Sequence, residues 1–239
     1  MSEFSSDEIM TVAAARELTD RTVCFVGIGL PSTAANLARL THAPDTVLVY
    51  ESGTIGSKPN TLPLSIGDGE LAETATAVVP VPEIFNYWLQ GERIDVGFLG
   101  AAQIDRCGNL NSTVIGDYEH PKVRLPGGGG APEIAAMAGE VIVIIRQSER
   151  SFVEEVDFRS SVPGGQPMVV ITDLGVLRRD PGSGELVLIR VHPGVTADQA
   201  WTATGWDLRV AEDLEETEAP SDGELEALRM LRAAVEAPA

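Results

Sequence analysis

Positive charge is scarce in this 239-residue chain: 17 Lys and Arg stand against 36 Asp and Glu, for a net charge of −19. No basic stripe offsets that excess, which argues against nucleic acid or an anionic membrane surface as a partner. Cysteine is nearly absent, and Cys24 and Cys107 lack metal-ligand spacing. Reduced thiols in a cytoplasmic setting are the expectation. Aromatic residues make up only 5%. A core must therefore rest on Val, Ile, Leu and Ala, as the buried strands of parallel sheets do. No apolar run approaches the ~20 residues that cross a bilayer. The polar start, Met1 to Glu8, does not read as a signal peptide.

What is present is an alternation of short apolar runs, glycine turns and helical patterns. Ser6-Asp7-Glu8 caps an expected helix over 7–19, and Thr22–Val26 is a strand ending in Gly27-Ile28-Gly29-Leu30-Pro31-Ser32. A helix over 32–41 and a strand over Thr46–Tyr50 complete a βαβ unit that delivers the chain at Glu51-Ser52-Gly53. Thr54–Gly69, rich in Gly, Pro, Ser and Asn, reads as an ordered loop. Further on, a helix is expected over 82–90. Strands are expected at Val96–Leu99, Leu110–Ile115, Val141–Arg146, Met168–Thr172 and Leu186–Val191, with a short helix after Pro132. The last helix, 221–236, carries Leu225, Leu228 and Leu231 at helical spacing. The whole reads as one α/β domain over 1–239, an open, mainly parallel sheet with helices on both faces.

Glu51 admits two readings. Gly27-x-Gly29-x-x-Ser32 after a strand, with an acid closing the next strand, resembles a dinucleotide-binding unit in which Glu51 would hold a ribose hydroxyl. Ser32 in the third small position and Pro31 in the turn count against it. The alternative lies in the residues beyond the acid. Glu51 enters a flexible turn of small residues at the C-terminal end of a strand, where ligands of open α/β sheets bind, and one face of its carboxylate is left uncovered.

Tyr50-Glu51-Ser52-Gly53 matches the active-site glutamate motif, E-N-G or E-S-G, of class I coenzyme A transferases. Met10–Arg16, Phe25–Pro31, Pro63–Asp68, Gly100–Asp105, Gly108–Asn111, Lys122–Gly127, Val191–Thr196 and Thr204–Trp206 extend the likeness in order along nearly the whole chain. The sequence is therefore identified as a member of that family and resembles its B subunits. Glu70–Ala75 and Ile94–Gly100 look most like the 3-oxoadipate enzymes, with the glutaconate enzymes beside them. An oxidoreductase subunit, or a CoA-thioester hydrolase or decarboxylase on the same fold, are the other readings.

The resemblance implies transfer of CoA between carboxylic acids, with Glu51 as the nucleophile and a Glu51–CoA thioester as intermediate. It implies no metal and no cofactor beyond the CoA thioester substrate. It also implies an A subunit as partner in an A2B2 assembly, because family active sites lie between two different subunits. In Gly127-Gly128-Gly129-Gly130, the resemblance assigns Gly128 and Gly129 to the oxyanion or to CoA. Gln103, Asn109 and Asn111 are candidates to bind a substrate carboxylate, or equally to satisfy loop backbone. Lys122 and Arg124 are weaker candidates for a second carboxylate. His192 and Cys107 read as structural and inert.

Overall fold

A computed structural model describes residues 3–236. Where the sequence reads as one domain, the chain divides into two compact units. The first unit holds the residues up to Phe98 and those from Ala219 onward; the second holds Leu99–Glu218.

In the first unit, α1 (Ser6–Arg16) opens on a capping box. Ser5 Oγ accepts from Glu8 N at 3.3 Å, and Ser5 N donates to the Glu8 carboxylate at 2.8 Å, so two orphan amides are satisfied at once. Next come β1 (Val23–Val26), α2 (Leu30–Thr41) and β2 (Val47–Tyr50), the expected crossover. β1 and β2 run parallel in register, Val23 against Val47 through Val26 against Tyr50. Gly29, at φ 88°, lets the chain turn from β1 straight into α2, a conformation side chains resist. β3 (Thr54–Ile55), α3 (Gly69–Glu73), β4 (Ala77–Val78), α4 (Val81–Glu83), a π-helical continuation over Ile84–Leu89, and β5 (Val96–Leu99) follow. The strand order is β4-β3-β2-β1-β5, with β5 parallel to β1 and the β3 and β4 pairings antiparallel. Leu37, Leu48 and Tyr50 are fully buried. Each such side chain contributes about 1.5–3 kcal/mol by leaving water.

The second unit begins with two hairpins, β6 (Gln103–Ile104) with β7 (Leu110–Asn111), and β8 (Val114–Gly116) with β9 (Pro121–Arg124). It continues through α5 (Ala131–Met137), β10 (Glu140–Ile144), β11 (Met168–Ile171), β12 (Gly175–Arg179), β13 (Leu186–Val191), α6 (Ala197–Thr202) and β14 (Arg209–Glu216). β10 and β11 are parallel, β11–β12 and β12–β13 antiparallel, and β13–β14 parallel. The α/β class and the mixed, mostly parallel strands agree with expectation.

The chain ends in α7 (Asp222–Glu236), which belongs to the first unit and packs on α1 and α2. Leu225, Leu228 and Leu231 are all buried. Two ion pairs fasten it: Arg16 grips Glu224 through Nε at 2.8 Å and Nη2 at 2.7 Å, and Arg229 Nε donates to Glu8 at 2.7 Å. Among the described residues, no helix is long and apolar enough to cross a membrane.

Candidate active site

Glu51 leaves β2 at its C-terminal end and enters a tight turn closed by Gly53 N donating to Tyr50 O at 3.0 Å. Gly53 is held at φ 106°, and a β-carbon there would lie 2.0 Å from the Val79 carbonyl oxygen. No other residue fits. Val79 N returns a bond to Gly53 O at 2.9 Å, so the turn is fastened from both sides.

Behind the turn, Tyr50 is wholly buried and its hydroxyl lies 3.1 Å from Ser32 Oγ on α2. Burial pushes the Tyr50 phenol above its ordinary value, so it stays neutral. Asn36 Nδ2 donates to Ser32 O, and Arg39 Nη2 donates to Asn36 Oδ1 and to Pro59 O, in the loop beyond the glutamate. Glu51 itself is half-buried. Among the described residues its carboxylate takes part in no hydrogen bond or ion pair. The backbone is fixed, and the Glu51 carboxylate is uncommitted.

The segment after Ile55 is ordered, as expected. Glu70 accepts from Asn60 N, Thr61 N and the Thr61 hydroxyl; the Thr61 bond leads in holding its carboxyl below the usual range. Ser57 Oγ donates to Leu71 O at 2.9 Å. Leu64 and Ile66 protrude into solvent at the loop's far end.

In the second unit, β9 leads into the glycine run. Gly127, at φ 102°, donates its amide to Ser112 O at 2.8 Å; Gly129 is at φ 51°. Among the described residues, the amides of Gly128 and Gly129 donate no hydrogen bond. Lys122 and Arg124 are exposed, and Arg124 is engaged locally: its Nη2 donates to Tyr118 O and its guanidinium lies 4.8 Å from the centre of the Tyr118 ring.

The three amide candidates lie in the same unit, and two of them touch. Asn111 Nδ2 donates to Gln103 Oε1 at 2.7 Å and to Val114 O at 2.6 Å, while its Oδ1 accepts from Thr113 N and Val114 N. Gln103 Nε2 donates to Asp157 at 3.1 Å, and that carboxylate also accepts from Gly116 N. Asn109 Nδ2 donates to Asp105, which accepts from the amides of Cys107 and Asn109 as well. Their side chains are thus engaged in holding loops. His192 is buried, with Nε2 donating to Thr172 O at 2.8 Å and Nδ1 facing the Thr217 hydroxyl at 3.1 Å; burial lowers its proton affinity. Two residues escaped the sequence reading, Ser52 and Thr54. Each has a buried hydroxyl oxygen without a partner among the described residues, and only the surrounding packing reveals it.

Comparison with known proteins fits this arrangement. The coenzyme A transferase family matches residues 7–201. The chain is 60% identical to the B subunit of 3-oxoadipate CoA-transferase from Pseudomonas knackmussii, over 98% of its own length and 95% of that protein's. Glutaconate coenzyme A-transferase from Acidaminococcus fermentans, known from a crystal structure, superposes with a TM-score of 0.88 at 30% identity, covering 95% of this chain and 94% of that one. The decarboxylase AibA/AibB superposes with a TM-score of 0.87 at 28% identity, over 96% and 95%. This chain belongs to the coenzyme A transferase family.

Proposed function

We propose that this chain is the B subunit of a CoA-transferase that moves CoA from succinyl-CoA to a 3-oxo dicarboxylic acid, 3-oxoadipate being the favoured acceptor. The observation that carries the reading is the unpaired Glu51 carboxylate on a rigid turn at the end of β2. The 60% identical relative, matched over nearly all of both chains, supports the acceptor. That relative's place as a B subunit and the two-component AibA/AibB structure support an A-subunit partner, which we take to be an A2B2 assembly. The cytoplasm is the proposed compartment.

In this reading the Glu51 carboxylate attacks the thioester carbonyl and the C–S bond breaks, leaving an acyl-glutamyl anhydride and CoA thiolate. The thiolate then attacks the glutamyl carbonyl, the acyl carboxylate departs, and a Glu51–CoA thioester remains. The incoming acid reverses both steps. This is covalent nucleophilic catalysis with ping-pong kinetics, and no cofactor beyond the CoA substrate is called for. The free amides of Gly128 and Gly129 are the proposed donors to the oxyanion or to CoA. Gln103, Asn109 and Asn111 contribute by fixing the loops that carry substrate-facing backbone.

Mass spectrometry on the assembled complex with succinyl-CoA tests the mechanism. A CoA adduct should map to the Glu51 peptide and vanish in Glu51→Gln, with transfer slowed by about 10³-fold or more. Turnover without any adduct would replace the nucleophile with a general base and transfer with hydrolysis.

A further inference from the structure

Four buried side-chain atoms among the described residues have no hydrogen-bond partner: Arg39 Nε, Ser52 Oγ, Thr54 Oγ1 and Ser161 Oγ. Two of the four flank Gly53 in the turn after Glu51, and a third, on Arg39, belongs to a side chain bonded to the loop that follows. Ser52 follows Glu51 directly, and Thr54 comes three positions after it. A hydroxyl removed from water and left unpaired is destabilising. Native proteins keep few of them, and each calls for a reason.

Local structure does not supply that reason. The turn is made by Gly53, whose φ and amide bond to Tyr50 close it without help from either hydroxyl. Thr54 is 4% exposed, so solvent does not serve it. Other hydroxyls of this unit are paired: Ser32 with Tyr50, Ser57 with Leu71 O, and Thr61 with Glu70. Alanine at 52 and valine at 54 would fill similar space with no unpaired oxygen. Two costly hydroxyls retained beside an uncommitted carboxylate indicate a partner that arrives with the reaction.

We propose that the Ser52 and Thr54 hydroxyls are donors to the acylated states of Glu51, and above all to the tetrahedral intermediate in which CoA sulfur attacks the Glu51 carbonyl. The inference rests on Glu51 being the nucleophile. In that step a C–S bond forms at the side-chain carbonyl carbon of Glu51, and the carbonyl electron pair moves onto its oxygen. When that pair returns, the C–O bond to the acyl carboxylate breaks. No proton or electron is gained or lost, so the hydroxyls act only as donors. The negative oxygen then belongs to Glu51 itself, and the two hydroxyls lie one and three positions beyond it in the chain. Donors at such oxygens typically contribute about 10²–10³-fold.

The test uses the complete complex with Ser52→Ala, Thr54→Val and the double variant, each given succinyl-CoA. Three quantities are read: the rate of Glu51–CoA formation by rapid-quench mass spectrometry, the melting temperature, and assembly with the A subunit. Each single variant should slow thioester formation by about 10²-fold, while the melting temperature stays level or rises because an unpaired buried group is gone. Thr54→Ser should recover most of the rate. Rates within twofold of the parent overturn the proposal. So does a slower rate joined to a lower melting temperature or weaker assembly, which would make the hydroxyls structural or interface groups. A parent adduct on Glu51 with unaffected variants refutes this inference alone; a parent that turns over without the adduct refutes the nucleophile assignment and this inference together.

Discussion

The turn at Glu51 and the loop cluster at Asn111 are both built from short polar residues around glycines, yet they treat hydrogen bonds in opposite ways. Every polar atom of the Asn111 side chain is engaged, with Nδ2 bonding Gln103 and Val114 and Oδ1 bonding two amides. At the other turn, Glu51 has no partner among the described residues, and two neighbouring hydroxyls are buried and unpaired. A group whose bonds are all made inside the protein supports shape. A group whose bonds are withheld stands ready for a ligand. The contrast separates scaffold from chemistry more sharply than residue type does, since Asn and Gln look as functional as Glu on paper.

Several substitutions would break or sharpen that contrast. Gly53→Ala should have the largest effect: the left-handed backbone and the Val79 carbonyl oppose a β-carbon, so stability should fall by about 3 kcal/mol or more, measured by urea unfolding. Asn111→Ala should cost about 2–3 kcal/mol, because it strands buried acceptors and amides together. Glu51→Ala, by contrast, should leave the unfolding midpoint within about 0.5 kcal/mol of the parent, as expected where no internal bond is lost. Equal losses at Asn111 and Glu51 would dissolve the distinction. A further effect concerns pH. The hydrogen bond from Arg229 holds the Glu8 carboxyl at about 2. Burial would raise Glu224, yet bonds from Arg16 and Ser221 outweigh it and hold that carboxyl at about 2 as well. Both lie below the ordinary value of 4.5. Their stabilisation is complete above that value and is lost as pH falls from 4.5 towards 2. Melting temperature against pH should show this decline, flattened in a variant carrying Arg16→Ala and Arg229→Ala.

Much of the fold was legible because its parallel strands are apolar and helices such as α2 and α7 are amphipathic. Val96–Leu99 and Leu186–Val191 fall where the sequence places them. β14 did not announce itself: Arg209–Glu216 is mostly charged and largely exposed, and only its parallel pairing with β13 makes it a strand. The expected strand over Leu110–Ile115 is two strands, because the Asn111 side chain captures the amides of Thr113 and Val114 and turns the chain between them. α6 was missed as a single short turn behind the Thr196 capping box. At the candidate site, the place of Glu51 at the end of β2 was legible, and the E-S-G motif marked it as the residue to test. The absence of partners for Ser52 and Thr54 was not, since a missing bond depends on every atom that packs around a residue.

The docking of α7 also sets an order of events during synthesis. The unit that carries Glu51 encloses the second unit within its sequence, so on the ribosome its first piece must wait through Leu99–Glu218 before its last wall emerges. Until then the faces of α1 and α2 that receive Leu225, Leu228 and Leu231 lie open to water and to chaperones. A premature stop after Glu218 would spare every residue near Glu51 in sequence and still leave its unit without a side.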